Sequence, residues 1–293
     1  MIYDIRLAIS YAYGAPSDRS RMLLRMMPRG LEGVQRVVGG TLAIDPQPDE
    51  QREGQDFFGN STVMAVWHGP IKALKVSTTV SVERLAPVSL ADLSPLLTEL
   101  PAALADCDDL GPDSPHHFVA PSPRVPEVPD ITAYARKLVR KGMTTAQAIE
   151  GLGRALHRDM TFDSEATSVD TGPEEAFAQR RGVCQDFAHV MIAALRALGV
   201  PAGYVSGFLR TLPPPGQPRL EGADAMHAWV RAWAGPVTGW IEFDPTNDQP
   251  AGGDYVTVAY GRDYGDVSPV QGTMRTAGRQ GSRQAVDMVP RDA

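Results

Sequence analysis

Cys184, His227 and Asp244 are the residues whose types and order could carry a reaction. A thiol nucleophile needs a base to take its proton and a third group to orient that base. Cys184 opens the cleanest helical period in the chain, with Phe187, Val190, Met191, Ala194, Leu195 and Leu198 recurring on one face and Gly199 and Pro201 closing it. The thiol shares that face and lies in the first turn, where unpaired amides and the helix dipole favour the thiolate. On its type alone, such a cysteine is more often a small core residue than a nucleophile. Cys107 is the contrast, because Asp106, Asp108 and Asp109 surround it with carboxylates that disfavour a thiolate. In the run Met226-His227-Ala228-Trp229-Val230, alternation puts His227, Trp229 and Arg231 on the face opposite Met226, Ala228 and Val230. A lone strand histidine is also an ordinary polar group. Asp244 ends the run Trp240-Ile241-Glu242-Phe243, and Pro245 stops the strand there, so the carboxylate sits at a mouth position able to hold an imidazole. Asp before Pro is equally a common turn.

Taken together, Gly182-Val183-Cys184-Gln185-Asp186-Phe187-Ala188-His189, Tyr204-Val205-Ser206-Gly207, His227-Ala228-Trp229-Val230 and Asp244-Pro245-Thr246-Asn247 resemble the bacterial transglutaminase-like family, whose core is related to papain-like thiol enzymes. The resemblance extends to the family's N-terminal β accessory domain through Asp56-Phe57-Phe58-Gly59-Asn60, and to Gly261-Arg262-Asp263-Tyr264-Gly265-Asp266-Val267, so it covers residues 1 to 271. It implies Cys184 as nucleophile, His227 as general base and then acid, and Asp244 as the orienting carboxylate. Gln185, Asp186, Trp229, Asp263 and Tyr264 are candidates for the cleft or the oxyanion region. Asp186 lies about 200° and His189 about 140° around the helix from Cys184, so both are expected to pair with polar loops rather than share the thiol's direction. Arg262, Asp263 and Tyr264 line the cleft or hold a turn, and the sequence favours neither. The Cys184 amide is a candidate oxyanion donor.

The elements that must position these residues divide in two. At roughly 150 residues per domain, 293 residues give a working count of two. The fold expected is α+β: an N-terminal all-β, sandwich-like domain over 1–85, a Pro-rich connection over 86–129, a transglutaminase-like core of helices followed by antiparallel sheet over 130–271, and a poorly ordered tail over 272–293. Tyr3, Ile5, Leu7 and Ile9, and later Leu74, Val76, Thr78, Val80 and Val82, alternate as strands do. Residues 57–60 read as a hairpin turn with positive φ at Gly59 and Asn60. Asp130 is expected to cap a helix through Arg140, Thr144 with Gln147 to box the start of another, and Thr171 with Glu174 a short third. Strands follow at Gly203 to Arg210, Ala225 to Trp233 and Trp240 to Asp244.

Composition narrows the function classes. With 28 basic and 35 acidic residues the net charge is −7, which argues against a nucleic-acid or anionic-membrane surface. The most apolar window, Val190 to Phe208, contains Arg196, Pro201 and several glycines, so no membrane-spanning helix is expected. Asp4 and Arg6 interrupt any signal-peptide core, and a cytoplasmic location is expected. Two cysteines and six histidines show no zinc spacing, no EF-hand loop is present, and no metal or cofactor is expected. The chemistry expected is attack of a thiolate on an amide of a peptide or protein, with hydrolysis favoured over transamidation. The alternative is a catalytically silent binding or assembly module on the same fold. The oligomeric state is not legible.

Overall fold

The computed structural model describes residues 1–85, 91–211 and 226–291. Its N-terminal region is built around one long strand, β1 (Ile2–Leu24), whose alternation buries Tyr3, Ile5, Leu7 and Ile9. β2 (Gln35–Asp45), β3 (Glu50–Gln55), β4 (Ser61–Trp67) and β5 (Ile71–Arg84) complete a sheet of order β2-β5-β1-β4-β3. β1 pairs with β5 from Ile2 to Ala12 and, past a register break, at Ser17, and with β4 from Ser20 to Leu24. The β3–β4 turn has Gly59 at φ +75°, as expected, whereas Asn60 is not left-handed. Its side chain does other work.

After the first sheet come α1 (Leu100–Ala105), a 3₁₀ turn at Pro115–Phe118, α2 (Pro129–Leu138), α3 (Thr145–Asp159), β6 (Thr161–Phe162), α4 (Pro173–Gln179), β7 (Arg181–Gly182) and α5 (Cys184–Ala197). The strands β8 (Ala202–Leu209), β9 (Met226–Trp233), β10 (Trp240–Asp244), β11 (Gln249–Pro250) and β12 (Tyr255–Gly261) form an antiparallel sheet of order β11-β10-β9-β8-β12, followed by α6 (Tyr264–Val267). Ala225, the expected first residue of β9, lies outside the described residues. The Thr144–Gln147 capping box is present at the start of α3. The other two caps differ: α2 starts two residues early with Val128 before it, and Gly172 rather than Thr171 precedes α4, because the Thr171 hydroxyl accepts the Ser168 N–H instead. α5 is buried on all sides from Gln185 to Arg196, enclosed by α2, α3, α4 and the sheet. The Pro-rich stretch is more than a connection, since Leu100, Phe118 and Val125 are each at most 1 % exposed.

The stretch expected to be a disordered tail is a correction. β13 (Val270–Arg275) and β14 (Gln280–Pro290) return to the N-terminal sheet, where β14 pairs with β1 from Tyr3↔Pro290 to Tyr13↔Gln280 and β13 pairs with its far end. Most of β14 faces solvent, and only Val286 and Met288 enter the core. No helix among the described residues is long and apolar enough to cross a membrane, which says nothing of β-barrels.

β12 is an edge strand, and its free side is satisfied by side-chain amides of the N-terminal region. Gln35 Nε2 donates to Thr257 O (2.7 Å) while its Oε1 accepts the Thr257 N–H (2.9 Å), and Asn60 does the same for Tyr260 at 2.7 and 2.8 Å. Each amide thus stands in for a peptide of a neighbouring strand. Asn60 is fully buried and also accepts from Arg29 and donates to Asp56. Asn60→Ala would leave the Tyr260 N–H and C=O unpaired in the interior, and about 3 kcal/mol of stability should be lost. Urea unfolding of the variant against the parent measures it.

Candidate active site

Cys184 is the first residue of α5, reached from β7 through Gly182 and Val183. Asp186 folds back over this start and accepts the Val183 N–H (2.8 Å) and the Thr167 hydroxyl (2.6 Å). Gly182 makes room for that carboxylate, because a Cβ there would lie 2.5 Å from Asp186 Oδ2. Asp186 is therefore a buried cap that faces a loop, as its angle to Cys184 implied, and burial pushes its pKa up.

His227 is the second residue of β9, and its Nε2 lies 2.6 Å from Asp244 Oδ2 at the end of β10. Cys184 lies close enough to the same imidazole to raise its pKa. With Nε2 committed to Asp244, Nδ1 is the nitrogen left for the sulfur. Burial alone would lower the pKa of His227, but the Asp244 bond and the neighbouring Cys184 outweigh it and hold the ring up to about 10. Burial would likewise raise Asp244, yet donors from His227, Asn247 and Tyr255 keep its carboxyl below the ordinary value. The expected Cys, His and Asp are thus brought together at one end of α5.

Trp229 was expected at the cleft and is instead fully buried beneath His227, its ring stacked on the imidazole at 6.1 Å and 27° and its Nε1 donating to Glu242 (2.7 Å). Gln185 is almost wholly buried and donates to Val169 O at 3.0 Å. Asp263 resolves as a turn residue, 2 % exposed, capping α6 through the Gly265 N–H and accepting the Arg124 N–H. Tyr264 stays half-buried near the site, its ring 6.1 Å from that of Tyr204 and under the Arg124 guanidinium. Arg262 is held by Asp266 in a bidentate pair. Sequence reasoning missed Tyr255 and Gln249 entirely, whereas Asn247 was in view as the end of the Asp244-Pro245-Thr246-Asn247 run.

A second histidine gives an internal comparison. His189 is 1 % exposed, its Nε2 accepts the Tyr264 N–H (3.1 Å), and burial pushes its pKa down to about 4. At pH 7 His227 should therefore be imidazolium and His189 neutral. Nitrogen chemical shifts of the two rings across pH 5 to 9 check this; a His227 that titrates near the ordinary value of roughly 6.5 would contradict the pairing. Among the described residues no group of three or more His, Cys, Asp or Glu is arranged to hold a metal ion.

Comparison with known proteins agrees with this architecture. Residues 132–245 match the transglutaminase-like superfamily, and residues 3–83 match the bacterial transglutaminase-like N-terminal region. An uncharacterized protein of Mycobacterium tuberculosis is 35 % identical over 266 residues, covering 87 % of this chain and 82 % of that protein. A relative in Mycobacterium leprae is 30 % identical over 268 residues, with 89 % of each covered. A protein-glutamine gamma-glutamyltransferase of Pseudomonas aeruginosa is 38 % identical over 87 residues, which is 29 % of this chain and 13 % of that one. The crystal structure of a candidate cysteine protease from Cytophaga hutchinsonii superposes with a TM-score of 0.77 at 22 % identity, covering 100 % of this chain and 91 % of the other, and so shares the fold. With the N-terminal region, the helical core and the sheet all accounted for, the chain belongs to the transglutaminase-like superfamily and carries that superfamily's bacterial N-terminal region.

Proposed function

We propose that the protein is a thiol acyl-transfer enzyme acting on amides of peptides or proteins, with Cys184 as nucleophile, His227 as acid–base and Asp244 as the group that orients His227. The observation that supports this reading is the imidazole bonded at 2.6 Å to a buried carboxylate and close enough to Cys184 for that side chain to raise its pKa. The Cys184 sulfur, its proton held by His227 as imidazolium, attacks the amide carbonyl and forms a C–S bond as the C=O π bond opens to an oxyanion. The C–N bond then breaks as the His227 imidazolium gives its proton to the departing nitrogen. Water, deprotonated by the now neutral His227, attacks the thioester and releases the acid and the free thiol. The Cys184 N–H, one of the donors that a helix start leaves without an intrahelical partner, serves the developing oxyanion.

Hydrolysis or deamidation is favoured over crosslinking because water at its bulk concentration outcompetes an amine unless the site excludes it. The test is a lysate peptide mixture incubated with and without a fluorescent primary amine, alongside Cys184→Ala. Cys184-dependent cleavage or ammonia release with little amine incorporation is expected. Dominant amine incorporation would overturn the preference for water, and products from Cys184→Ala would overturn the reading itself.

A further inference from the structure

Asp244 is wholly buried and receives more donors than the orientation of one imidazole requires. Its Oδ2 accepts from His227 Nε2 (2.6 Å), Asn247 Nδ2 (2.7 Å) and the Tyr255 hydroxyl (2.8 Å), while Oδ1 accepts the N–H groups of Thr246 (2.8 Å) and Asn247 (3.2 Å). The Thr246 and Asn247 bonds come from the turn that follows the carboxylate itself. Tyr255 differs, because it arrives on β12, the strand that borders the N-terminal region.

The direction of the Tyr255 bond is fixed. Gln249 Nε2 donates to the hydroxyl oxygen at 2.7 Å, so the hydroxyl proton is free to point at Asp244, and an ionised carboxylate can only accept. The ring is 1 % exposed and packs edge-on against Trp229 at 5.1 Å. β12 is gripped from the N-terminal side at points around Tyr255: Tyr3 OH donates to Asp254 Oδ1 (2.8 Å), Arg84 Nε to Gly252 O (3.3 Å), and Gln35 pairs with both backbone groups of Thr257.

Resting on the catalytic reading above, we propose that Tyr255 is a positioning residue for the His227–Asp244 pair, and that the N-terminal sheet holds it in place through Gln35. A carboxylate held by a hydroxyl on a separate strand cannot rotate its Oδ2 away from the imidazole. The accessory region would then act on the reaction without touching substrate.

The probe is p-nitrophenyl acetate, whose acylation of Cys184 releases p-nitrophenolate. Tyr255→Phe should slow acylation roughly 10- to 100-fold, as expected for one hydrogen bond to a charged group, with the melting temperature little changed. The acid limb of its pH profile should move to higher pH, because a carboxylate that has lost a donor takes up a proton more readily. In the Asp244→Asn background, Tyr255→Phe should add no further loss. Gln35→Ala should slow the parent by a smaller factor and be silent in Tyr255→Phe. An equal fractional loss with and without Asp244, or no loss in either, would overturn the role of Tyr255, and a Gln35→Ala protein with the parental rate would overturn that of the sheet. Parental p-nitrophenolate release from Cys184→Ala would instead show that the catalytic reading had failed.

Discussion

Asp244→Asn is expected to leave a folded protein that has lost up to about four orders of magnitude in amide turnover. An Asp→Asn change in a serine triad costs roughly 10⁴ because the amide holds the imidazole in the wrong tautomer. Here the carboxylate, together with Cys184, also holds the His227 pKa up to about 10, and the amide would forfeit its share of that support. From the sequence alone the swap looks neutral for stability. The five donors around Asp244 change that, because an asparagine NH₂ must face either Oδ2's partners or the N–H groups of Thr246 and Asn247. About 2 kcal/mol should be lost, which for a chain of this size lowers the melting temperature by about 4–8 °C. Rate and stability therefore separate: the rate loss is far larger than that destabilisation. Thermal melts beside turnover of an amide measure both, and a variant that turns over amide at the parental rate would make Asp244 a turn residue only.

The second large effect separates the two thiols. At pH about 6, iodoacetamide should alkylate Cys184 up to about 100-fold faster than Cys107. An ordinary thiol reacts slowly at that pH because little of it is ionised, whereas Cys184 has the His227 imidazole beside it as a partner for its proton. Exposure does not decide the comparison, because both cysteines are partly buried. The His116 imidazole bonds the Cys107 carbonyl at 2.8 Å. His227→Ala should bring the two rates within a few-fold of each other. Peptide mapping of a timed alkylation gives both numbers, and equal rates in the native parent would remove the special environment assigned to Cys184.

The contrast between what was legible and what was not follows from periodicity. α5, the Thr144 box and the strands carrying His227 and Asp244 were readable because an apolar repeat or a cap is a local signal. β14 was not, since its outer face is polar and only two of its side chains enter the core. Alternation correctly put Trp229 beside His227, yet that face is no open cleft. Val205, Trp229, Tyr255 and Tyr260 form a second buried cluster, with Leu31 against it and the Arg29 guanidinium over Tyr260. Gln35 left no trace, because a single side chain that meets a strand 222 residues away has no sequence period to reveal it; Asn60 was in view only as part of the turn pattern, not for its reach to Tyr260, and Tyr255, 11 residues from Asp244, carried no local signal of that bond.

The most direct measurement of the central claim is the mass of the intact protein, acid-quenched seconds after mixing with lysate peptides. Acyl adducts should appear on the parent, map to Cys184 after digestion, disappear with hydroxylamine as thioesters do, and be absent from Cys184→Ala. Amide products that accumulate while Cys184 stays unmodified at every quench time, or an adduct that maps to another residue, would contradict it.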